Sequence, residues 1–393
     1  MIRHLFKLMW NRKRGNFLMI VEIFFSFLVL FGVSTLLLYF YTNATKPLGF
    51  KYDHVWVLQT YSHDMPDAEI RVRTGELVKQ LRNLPQIEHA ALAGPNGPYT
   101  RSSSNTELTH GNLQLISNVI TVQDNAFKDV MGIEMVSGRW FTDQDAFSNR
   151  MPIVITKDVE EAFFPGESGI GKTVMRGDRE RTIIGVITAF KPTGEMDDLT
   201  SSYFERTALE DTASRAMNTI YLKIKPGTNP QFEEEVLEMA SNIGTGWTLD
   251  LQQVPDMRRS YLKEILTPMI IFAIVCAFLI LNVALGLFGV LWHNINKRRS
   301  EIGLRRALGA SASSVYKQFI GEIMVLATFG LIVGCFFAVQ FPLLGIIQEV
   351  PSETFVKAIL TSVLLIYTLV IICALYPSKQ AAAIHPAIAL HED

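Results

Sequence analysis

Four long apolar stretches constrain this chain of 393 residues more than any other feature of its sequence. A helix needs roughly 20 apolar residues to cross a hydrocarbon core about 30 Å thick. The stretches predict transmembrane helices over residues 16–41, 265–292, 319–341 and 358–376. The first stretch is too long for the apolar core of a cleavable signal peptide, so we expect it to remain as an anchor. The sequence therefore predicts a membrane protein with four spans.

Basic residues predict the orientation of these spans, because cytoplasmic loops carry an excess of Lys and Arg. Five basic residues precede the first span and six lie between residues 297 and 317. Both termini are therefore predicted to be cytoplasmic. The predicted cytoplasmic segments are 1–15, 293–318 and 377–393, and the predicted external segments are 42–264 and 342–357. Residues 42–264 carry a net charge of −8 and the remainder +6, which agrees with this topology.

The first 15 residues alternate apolar and basic side chains. This pattern is typical of a short amphipathic helix in the lipid headgroup layer. We expect residues 1–15 to contact the lipid membrane from the cytoplasmic side.

The external segment of about 220 residues contains two β-α-β patterns and predicts an α+β domain. The first pattern predicts a strand over 54–60, a helix over 71–84 and a strand over 89–92; the second predicts a strand over 219–224, a helix over 229–243 and a strand over 247–253. Two such units side by side form a split-βαβ sheet with its helices on one face. The predicted fold is an α-helical membrane protein with this domain outside the membrane.

Residues 94–215 lie between the two units and predict an inserted β-rich lobe. Strands are expected over 113–122, 152–156 and 181–187. The stretch 191–215 is rich in Asp, Ser, Thr and Glu and has weak periodicity, so we predict a mobile loop there.

One segment of this lobe, Gly166–Thr173, matches the phosphate-binding pattern G-x-x-x-x-G-K-[ST]. That chemistry requires a strand before the loop and a helix after it, because the helix N-terminus holds the phosphates. Here a helix over 159–164 precedes the pattern and a strand over 182–187 follows it. We therefore predict a glycine turn and no nucleotide site.

Other patterns give no reason to expect an enzyme. The three cysteines all lie inside apolar runs, and the chain has no H-E-x-x-H, C-x-x-C or G-x-S-x-G pattern. We expect no cofactor, no metal site and no nucleic-acid partner. Any chemical energy that the protein uses must then come from a partner.

The loop after the second span contains the sequence Glu301-Ile302-Gly303-Leu304-Arg305-Arg306-Ala307-Leu308-Gly309-Ala310. Ile302, Leu304 and Leu308 predict an apolar stripe beside two arginines on a short helix. Such a helix suits docking into a groove of another protein. The alternative is that the arginines only fix the topology.

This loop closely resembles the corresponding loop of the MacB-like and FtsX-like ABC transporter permeases. The segments Tyr376–Ala382 and Ile384–Leu390 resemble the signature that follows the last span of that family. Val136–Phe141 and Ile170–Lys172 resemble its exported domain. The order of one span, a large domain and three further spans is also similar, so the resemblance covers nearly the whole chain.

The resemblance implies a multi-pass permease of the cell inner membrane whose residues 42–264 form a MacB-like periplasmic core domain. It implies an ABC ATPase on the cytoplasmic side and a homodimer or a dimer with a paralogous permease, and it leaves a periplasmic adaptor open as a further partner. MacB carries its ATPase domain ahead of the first span, whereas this sequence starts 15 residues before it. The expectation is therefore a separate ATPase subunit. The residues that the resemblance assigns to ATPase coupling are Glu301, Ile302, Gly303, Leu304, Arg305, Arg306, Leu308 and Gly309.

The implied function is efflux or export of a periplasmic substrate, with macrolides and antimicrobial peptides as the classes that the family suggests. The alternatives are a mechanotransmitter similar to FtsX or LolC, which acts on a cell-wall hydrolase or on lipoproteins, and a transmembrane sensor of extracellular peptides. Our mechanical hypothesis is that the spans act as levers and that the two external lobes open and close.

Two features inside the spans suggest roles in packing. Gly330 and Gly334 form a G-x-x-x-G pattern, which can seat a helix of the same chain or of a dimer partner. Glu22 is the only charged residue deep inside a predicted span. We expect its side chain to reach the inner membrane surface in preference to pairing with another helix.

Overall fold

The computed structural model describes residues 13–62, 65–147, 151–207, 216–347 and 350–383. The predicted amphipathic segment lies almost wholly outside these residues, as does the second part of the C-terminal signature. The chain divides into an α+β unit, Thr42–Ile265, and a helical unit, Met1–Tyr41 with Leu266–Asp393. The predicted fold class of a four-helix membrane protein with an α+β domain is confirmed.

The described part of the chain begins with helix α1 (Lys13–Ala44). It continues with β1 (Val55–Tyr61), α2 (Asp67–Arg82), β2 (Ile87–Ala93), β3 (Asn105–His110), β4 (Leu113–Val122), α3 (Phe127–Met131), β5 (Met135–Gly138), a 3-10 helix (Asp143–Phe147), β6 (Met151–Thr156), α4 (Lys157–Phe163), β7 (Thr173–Arg176), β8 (Arg179–Ile187), β9 (Ser202–Arg206), β10 (Thr219–Ile224), α5 (Phe232–Ile243) and β11 (Thr248–Gln253). It ends with α6 (Val254–Lys297), α7 (Arg299–Ala307), α8 (Ala312–Leu343) and α9 (Ser352–Ala382).

Among the residues that the structure describes, four helices are long and apolar enough to cross a membrane, and they contain the four predicted spans. Each is longer than its apolar stretch. Helix α9 continues through Pro377, five residues before its end, although the predicted span stops at residue 376. The four helices therefore extend into the segments that are predicted to lie on either side of the membrane.

Gly330 and Gly334 of α8 pack against α1 in the same chain. A Cβ atom added to Gly330 would lie 2.9 Å from Cγ2 of Ile23, and one added to Gly334 would overlap the ring of Phe27. Phe27 is fully buried. The G-x-x-x-G pattern therefore lets α1 and α8 approach closely within one molecule.

We expect Gly334→Ala to destabilise the helical unit, because the added methyl group overlaps Phe27 and overpacking of this kind costs about 1–3 kcal/mol. The matched control is Gly289→Ala in α6, where a Cβ meets no atom within 4 Å. The measurement is the thermal unfolding midpoint of the full chain in detergent. A midpoint for Gly334→Ala equal to that of Gly289→Ala would contradict this packing.

Glu22 lies at a contact between α1 and α6. Its carboxylate occupies the space left by the missing side chain of Gly286, where an added Cβ would lie 3.0 Å from Oε2. Its backbone carbonyl accepts a hydrogen bond of 2.6 Å from the Ser26 hydroxyl. The structure thus places the carboxylate between helices, which differs from the expected path to the membrane surface.

The α+β unit is built on one sheet, and its first part is the predicted split-βαβ arrangement. The strand order is β11-β1-β10-β2-β4-β3-β7-β8-β6-β9, and β5 pairs with β8. Strand β1 lies between β10 and β11 and is antiparallel to both, and β10 is antiparallel to β2. Helices α2 and α5 pack together over one apolar face of these four strands. All six predicted elements of the two units are confirmed.

The β-rich lobe, β3 to β9, shares its interior with the split-βαβ part. The two parts of the sheet meet at a single residue pair, Ala93 and Val122. The ring of Phe127 in α3 contacts both parts: its centroid lies 5.2 Å from that of Tyr221 in β10 and 6.2 Å from that of Phe204 in β9. Because one apolar cluster contains residues of both parts, an opening of two lobes would expose this cluster. The two lobes thus share one apolar cluster, and each also has a cluster of its own.

The prediction of a mobile loop over 191–215 is wrong for residues 202–206. Residues Ser202–Arg206 form β9, which pairs with β4 in parallel and with β6 in antiparallel register. Tyr203 and Phe204 are fully buried. Two adjacent aromatic residues buried on opposite faces of a short strand leave no alternating pattern, so the strand is hidden in the sequence. Residues 208–215 lie outside the described part.

The segment Gly166–Thr173 follows α4 and ends at the first residue of β7, which confirms the predicted order of helix, turn and strand. Gly171 has a φ of +80° and its N–H group donates a 2.8 Å hydrogen bond to the Ile183 carbonyl. The Lys172 ammonium pairs with Glu167 at 2.5 Å. The groups that would hold a phosphate are thus used within the turn and its neighbouring strand.

Candidate functional site

Helix α7 is a short, well-defined element between α6 and α8. Gly309 follows it with a φ of +94°, a conformation that glycine adopts without strain. The N–H groups of Gly309 and Ala310 donate to the carbonyls of Arg306 and Arg305, at 3.2 and 3.0 Å, which is a Schellman motif. The hydroxyl of Ser311 then caps the N-terminus of α8. The Leu-Gly-Ala-Ser sequence therefore sets the sharp turn at the end of α7.

The inner face of α7 joins the ends of the neighbouring helices. Ile302 is only 4% exposed. It belongs to a buried apolar cluster with Ile295, Val315, Phe319 and Ala381, which come from α6, α8 and α9. A displacement of α7 therefore requires either the loss of this packing or a movement of all three helix ends.

An ion-pair network reinforces this packing. Arg298 pairs with Glu322 of α8 at 2.8 Å and with Glu301 at 3.1 Å, and its guanidinium lies over the ring of Phe319. The side chains of Arg298 and Glu322 are only 11% and 13% exposed. Such a largely buried, hydrogen-bonded pair fixes geometry more surely than it adds stability. The sequence reasoning missed Glu322, which lies four residues into an apolar run.

The other predicted coupling residues lie on two different faces. Glu301 pairs with Arg305 at 2.6 Å, and Arg305 also donates to the side-chain oxygen of Gln318. Leu304 and Leu308 are 51% and 79% exposed. The remaining residues of this set are Gly303, which is buried, Arg306, which is half-buried, and Gly309, which is exposed.

The predicted stripe of three apolar residues is therefore wrong in one member. Residues two apart on a helix do not share a face, whereas residues four apart do. Ile302 packs inward, and Leu304 and Leu308 form an exposed apolar pair one turn apart. We call Leu304 and Leu308 the exposed leucine pair.

A second constellation lies in the α+β unit and was not predicted. Lys191 is fully buried, and its ammonium donates to the carbonyls of Asn43 and Glu195 at 3.0 and 2.9 Å. Burial, and then the charge of Lys46, lower the pKa of Lys191. A buried ammonium held by two carbonyls fixes the loop that follows β8.

Acidic residues of the same loop contact residues near the beginning and near the end of the chain segment that forms the α+β unit. Glu195 pairs with Arg258 of α6 at 2.5 Å and accepts a hydrogen bond from the Tyr99 hydroxyl at 2.8 Å. Asp197 accepts one from Tyr261 of α6 at 3.0 Å, and Asp198 forms an ion pair with Lys46. Burial, and then the respective carboxylate, raise the pKa of both tyrosines.

This constellation joins the chain segment that follows the predicted first span to the segment that precedes the predicted second span. Asn43 and Lys46 follow the predicted first span, and Arg258 and Tyr261 precede the second. We call residues 191–198 with these four partners the polar clamp. The run Glu195-Met-Asp-Asp198 was a signal for it, but a run of acidic residues in sequence is equally typical of a solvated loop.

Neither constellation has the composition of a metal or cofactor site. Within the ranges that the structure describes, no group of three or more His, Cys, Asp or Glu is placed to hold a metal ion.

Comparison with known proteins bears on both units. The model of the MacB-like periplasmic core domain matches residues 17–239, and that of the FtsX-like permease C-terminal matches residues 256–386. The chain is also similar to the macrolide export ATP-binding/permease protein MacB of Neisseria meningitidis serogroup B, with 24% identity over 303 residues that cover 74% of this chain and 46% of the relative. The corresponding protein of Mannheimia succiniciproducens is 25% identical over 323 residues, covering 79% and 50%. The chain thus spans about half the length of the curated relatives that it matches.

Two solved structures are similar to the chain at low identity. The periplasmic region of MacB from Actinobacillus actinomycetemcomitans has 17% identity and a TM-score of 0.40, covering 54% of this chain and 94% of that one. The extracellular domain of the noncanonic ABC-type transporter YknZ from Gram-positive bacteria has 14% identity and a TM-score of 0.36, covering 50% and 99%. Because the MacB-like core model alone matches more than half of the chain and the permease model covers the last three candidate spans, the chain belongs to the family of MacB-like and FtsX-like ABC transporter permeases.

Proposed function

We propose that this chain is the membrane-spanning part of an ABC transporter and couples ATP hydrolysis to a conformational change of its periplasmic α+β unit. The proposed ATPase is a partner subunit on the cytoplasmic side. The observation that carries the proposal is the exposed leucine pair on a helix whose other face is packed into the ends of α6, α8 and α9. A force that the ATPase applies to the exposed face of α7 is therefore transmitted to the ends of α6, α8 and α9.

The first step of the proposed mechanism takes place at α7. A groove of the ATPase binds Leu304 and Leu308, which are exposed and apolar. Arg298 and Glu322 then act as positioning residues, since their ion pair keeps α7 attached to α8. A movement of the ATPase is thereby converted into a movement of helix ends and does not merely bend a loop.

The second step takes place at the polar clamp. The α+β unit connects to the helical unit through the chain on either side of residues 41 and 266. The clamp ties the adjoining segments to one loop through Lys191 and Glu195. A relative shift of α1 and α6 therefore changes the conformation of this loop. The proposed response of the unit is a change at the clamp, since the shared apolar cluster opposes an opening of the lobes.

The proposed assembly follows from the family and from the charges of the chain. The protein lies in the inner membrane with residues 42–264 in the periplasm and both termini in the cytoplasm. It works as a homodimer or with a paralogous permease, and a periplasmic adaptor binds the α+β unit. The proposed action is export of a periplasmic substrate, with macrolides and antimicrobial peptides as the candidate classes. The basic loop 293–318 and the acidic segment 42–264 support this orientation.

A second candidate function is mechanotransmission to a cell-wall hydrolase or to lipoproteins, with no solute crossing the membrane. The spans favour it because their few polar groups are used locally. The carboxylate of Glu22 fills the space at Gly286, and the amide of Asn282 donates to the carbonyl of Phe278 one turn away. A path for a polar solute needs side chains that line it.

The experiment for the proposed function is isolation of the native complex from membranes through a tag on this chain. We expect an ABC ATPase to co-purify in a fixed ratio and ATP hydrolysis to depend on both chains. A complex without any ATPase, or hydrolysis by this chain alone, would refute the proposal. Export of a solute into vesicles then separates the transporter from the mechanotransmitter.

A further inference from the structure

Strand β11 forms one end of the sheet in the α+β unit. It pairs with β1 over six consecutive residues, Thr248–Gln253, without a register shift. Because a strand directs its N–H and C=O groups alternately to its two sides, half of these groups point away from β1. In the described ranges, no other strand and no loop forms a hydrogen bond with the backbone of β11. We call this side of β11 the open edge.

The other free sides of strands in this sheet are protected. Strands β4, β3, β7, β8, β6 and β9 form a closed ring, because β9 pairs with both β6 and β4. Beside β2, the Ala90 carbonyl accepts two N–H groups of Arg82 at 3.0 and 2.8 Å, and the Leu92 carbonyl accepts that of Gln123 at 3.0 Å. Strand β5 has only four residues and an irregular register.

Strand β11 lacks the devices that usually keep other chains away from a sheet edge. These devices are shortness, a bulge, Lys or Pro in the strand, and a covering segment. The sequence of β11 has neither Lys nor Pro, and its register is unbroken. None of its six residues is buried, whereas five of the six residues in β10 are. The open edge is therefore accessible to a further strand.

A groove of about 520 Å³ lies beside the open edge. Leu249 and Leu251 pack against the apolar cluster under α2 and α5, so Asp250 and Gln252 lie on the opposite face of β11. Both Asp250 and Gln252 form part of the groove wall, together with Tyr99. A strand added at the open edge places every second side chain on the face that borders this groove.

The groove carries an excess of negative charge. Its wall contains one basic and three acidic side chains, Arg101, Glu233, Asp250 and Asp256. Arg101 pairs with Glu264, and Asp256 pairs with Arg259 at 3.0 Å. Glu233 and Asp250 form no ion pair with any residue that the structure describes. Helix α5 adds to this charge, because its 12 residues include four glutamates and no basic residue. The charge therefore favours a basic occupant.

We propose that the open edge binds an extended, basic segment of a second polypeptide, which adds to the sheet as a strand beside β11. Main-chain hydrogen bonds supply the affinity in this mode of binding, and the side chains that enter the groove supply the preference for Lys and Arg. The inference concerns binding alone and does not rest on the proposed transport function.

A second copy of this chain is disfavoured as the occupant. Pairing of two β11 strands brings two acidic surfaces together, and like charges on adjacent strands are destabilising. Residues 42–264 also carry a net charge of −8 in each copy. The charges that attract a basic segment thus repel a second α+β unit.

The experiment is a fluorescence-anisotropy titration of the full chain in phosphatidylcholine nanodiscs, with empty nanodiscs as the blank. The probe is a labelled peptide of eight alternating Lys and Val residues. One comparison peptide has Glu in place of Lys. The other keeps the basic sequence but is N-methylated at every backbone amide, so it retains its charge and cannot donate to a strand edge.

We expect saturable binding of the basic peptide, at least tenfold tighter than that of either comparison peptide. The loss of one hydrogen bond weakens binding about two- to tenfold, and strand addition uses several. Comparable binding of either comparison peptide would overturn the proposal. The absence of saturable binding, the result expected if a second copy or another segment of this chain covers the edge, would overturn it as well.

Two double variants locate the site. Glu233→Gln with Asp250→Asn removes the two unpaired charges of the groove, and we expect it to raise the Kd for the basic peptide about two- to thirtyfold. The matched control is Glu107→Gln with Asp178→Asn, which makes the same chemical changes at exposed positions of the closed ring. We expect a smaller effect from the control. Equal effects of the two double variants would place the binding elsewhere and refute the site.

Discussion

Replacing Leu304 and Leu308 by serine is expected to abolish co-purification of the ATPase with the permease. Both side chains are exposed and touch no core, so the double variant should fold like the wild type. The loss removes the apolar pair that anchors the partner, and truncation of such an anchor costs about 2 kcal/mol or more per residue. For the pair this corresponds to a fall of roughly 800-fold or more in affinity. The measurement is the amount of ATPase retained on the tagged permease.

The matched control is the double replacement of Leu343 and Leu344 by serine. These two leucines are 72% and 69% exposed at the opposite end of α8. The control should retain the ATPase, because the predicted topology places Leu343 and Leu344 on the external side of the membrane and the ATPase on the cytoplasmic side. Equal retention by both double variants would contradict docking at α7.

The second large effect is expected for Lys191→Met. The substitution removes the ammonium that joins the carbonyls of Asn43 and Glu195 and leaves both acceptors buried. Hydrogen bonds from a charged donor contribute about 1.5–3 kcal/mol. We expect the variant to keep the ATPase bound and hydrolysing, while its ability to complement a strain without this chain falls to the level of that strain. The measurements are ATP turnover of the purified complex and complementation.

Lys157→Met is the control for Lys191→Met. Lys157 forms an ion pair with Glu160 at 2.7 Å, with a half-exposed side chain away from the clamp. We expect full complementation by this variant. Full complementation by Lys191→Met would exclude the clamp from the coupling path, whereas loss of ATPase binding in that variant would show a general folding defect.

The spans and the split-βαβ part could be predicted because their signals are local. An apolar run of the required length and a β-α-β pattern each specify an element with no knowledge of its partners. The predicted strand 219–224 and the observed β10 coincide for this reason. The order of a helix before the phosphate-loop pattern and a strand after it could also be predicted from local signals.

The parts that the sequence did not reveal depend on partners far apart in the chain. The buried state of Lys191 requires Asn43, which is 148 residues away. The pair of Arg298 and Glu322 spans a turn whose geometry is set by Gly309. The inward position of Ile302 follows from helical spacing and could have been predicted from it. A side chain can be assigned to a face of its helix or strand from the sequence. The residue that it contacts there can be identified only from the three-dimensional fold.

Hydrogen–deuterium exchange of the loop 191–198 in the complete complex tests the central claim, that ATP-driven movement at α7 reaches the polar clamp. The N–H groups of Lys191 and Gly194 donate to the carbonyls of Leu48 and Lys191 at 3.0 and 3.1 Å, so their exchange reports on the closed clamp. We predict that ATP changes the exchange of this segment in the wild type, and that it does not when Leu304 and Leu308 are serine. Identical exchange with and without ATP, in a wild-type complex that is hydrolysing it, would contradict the account.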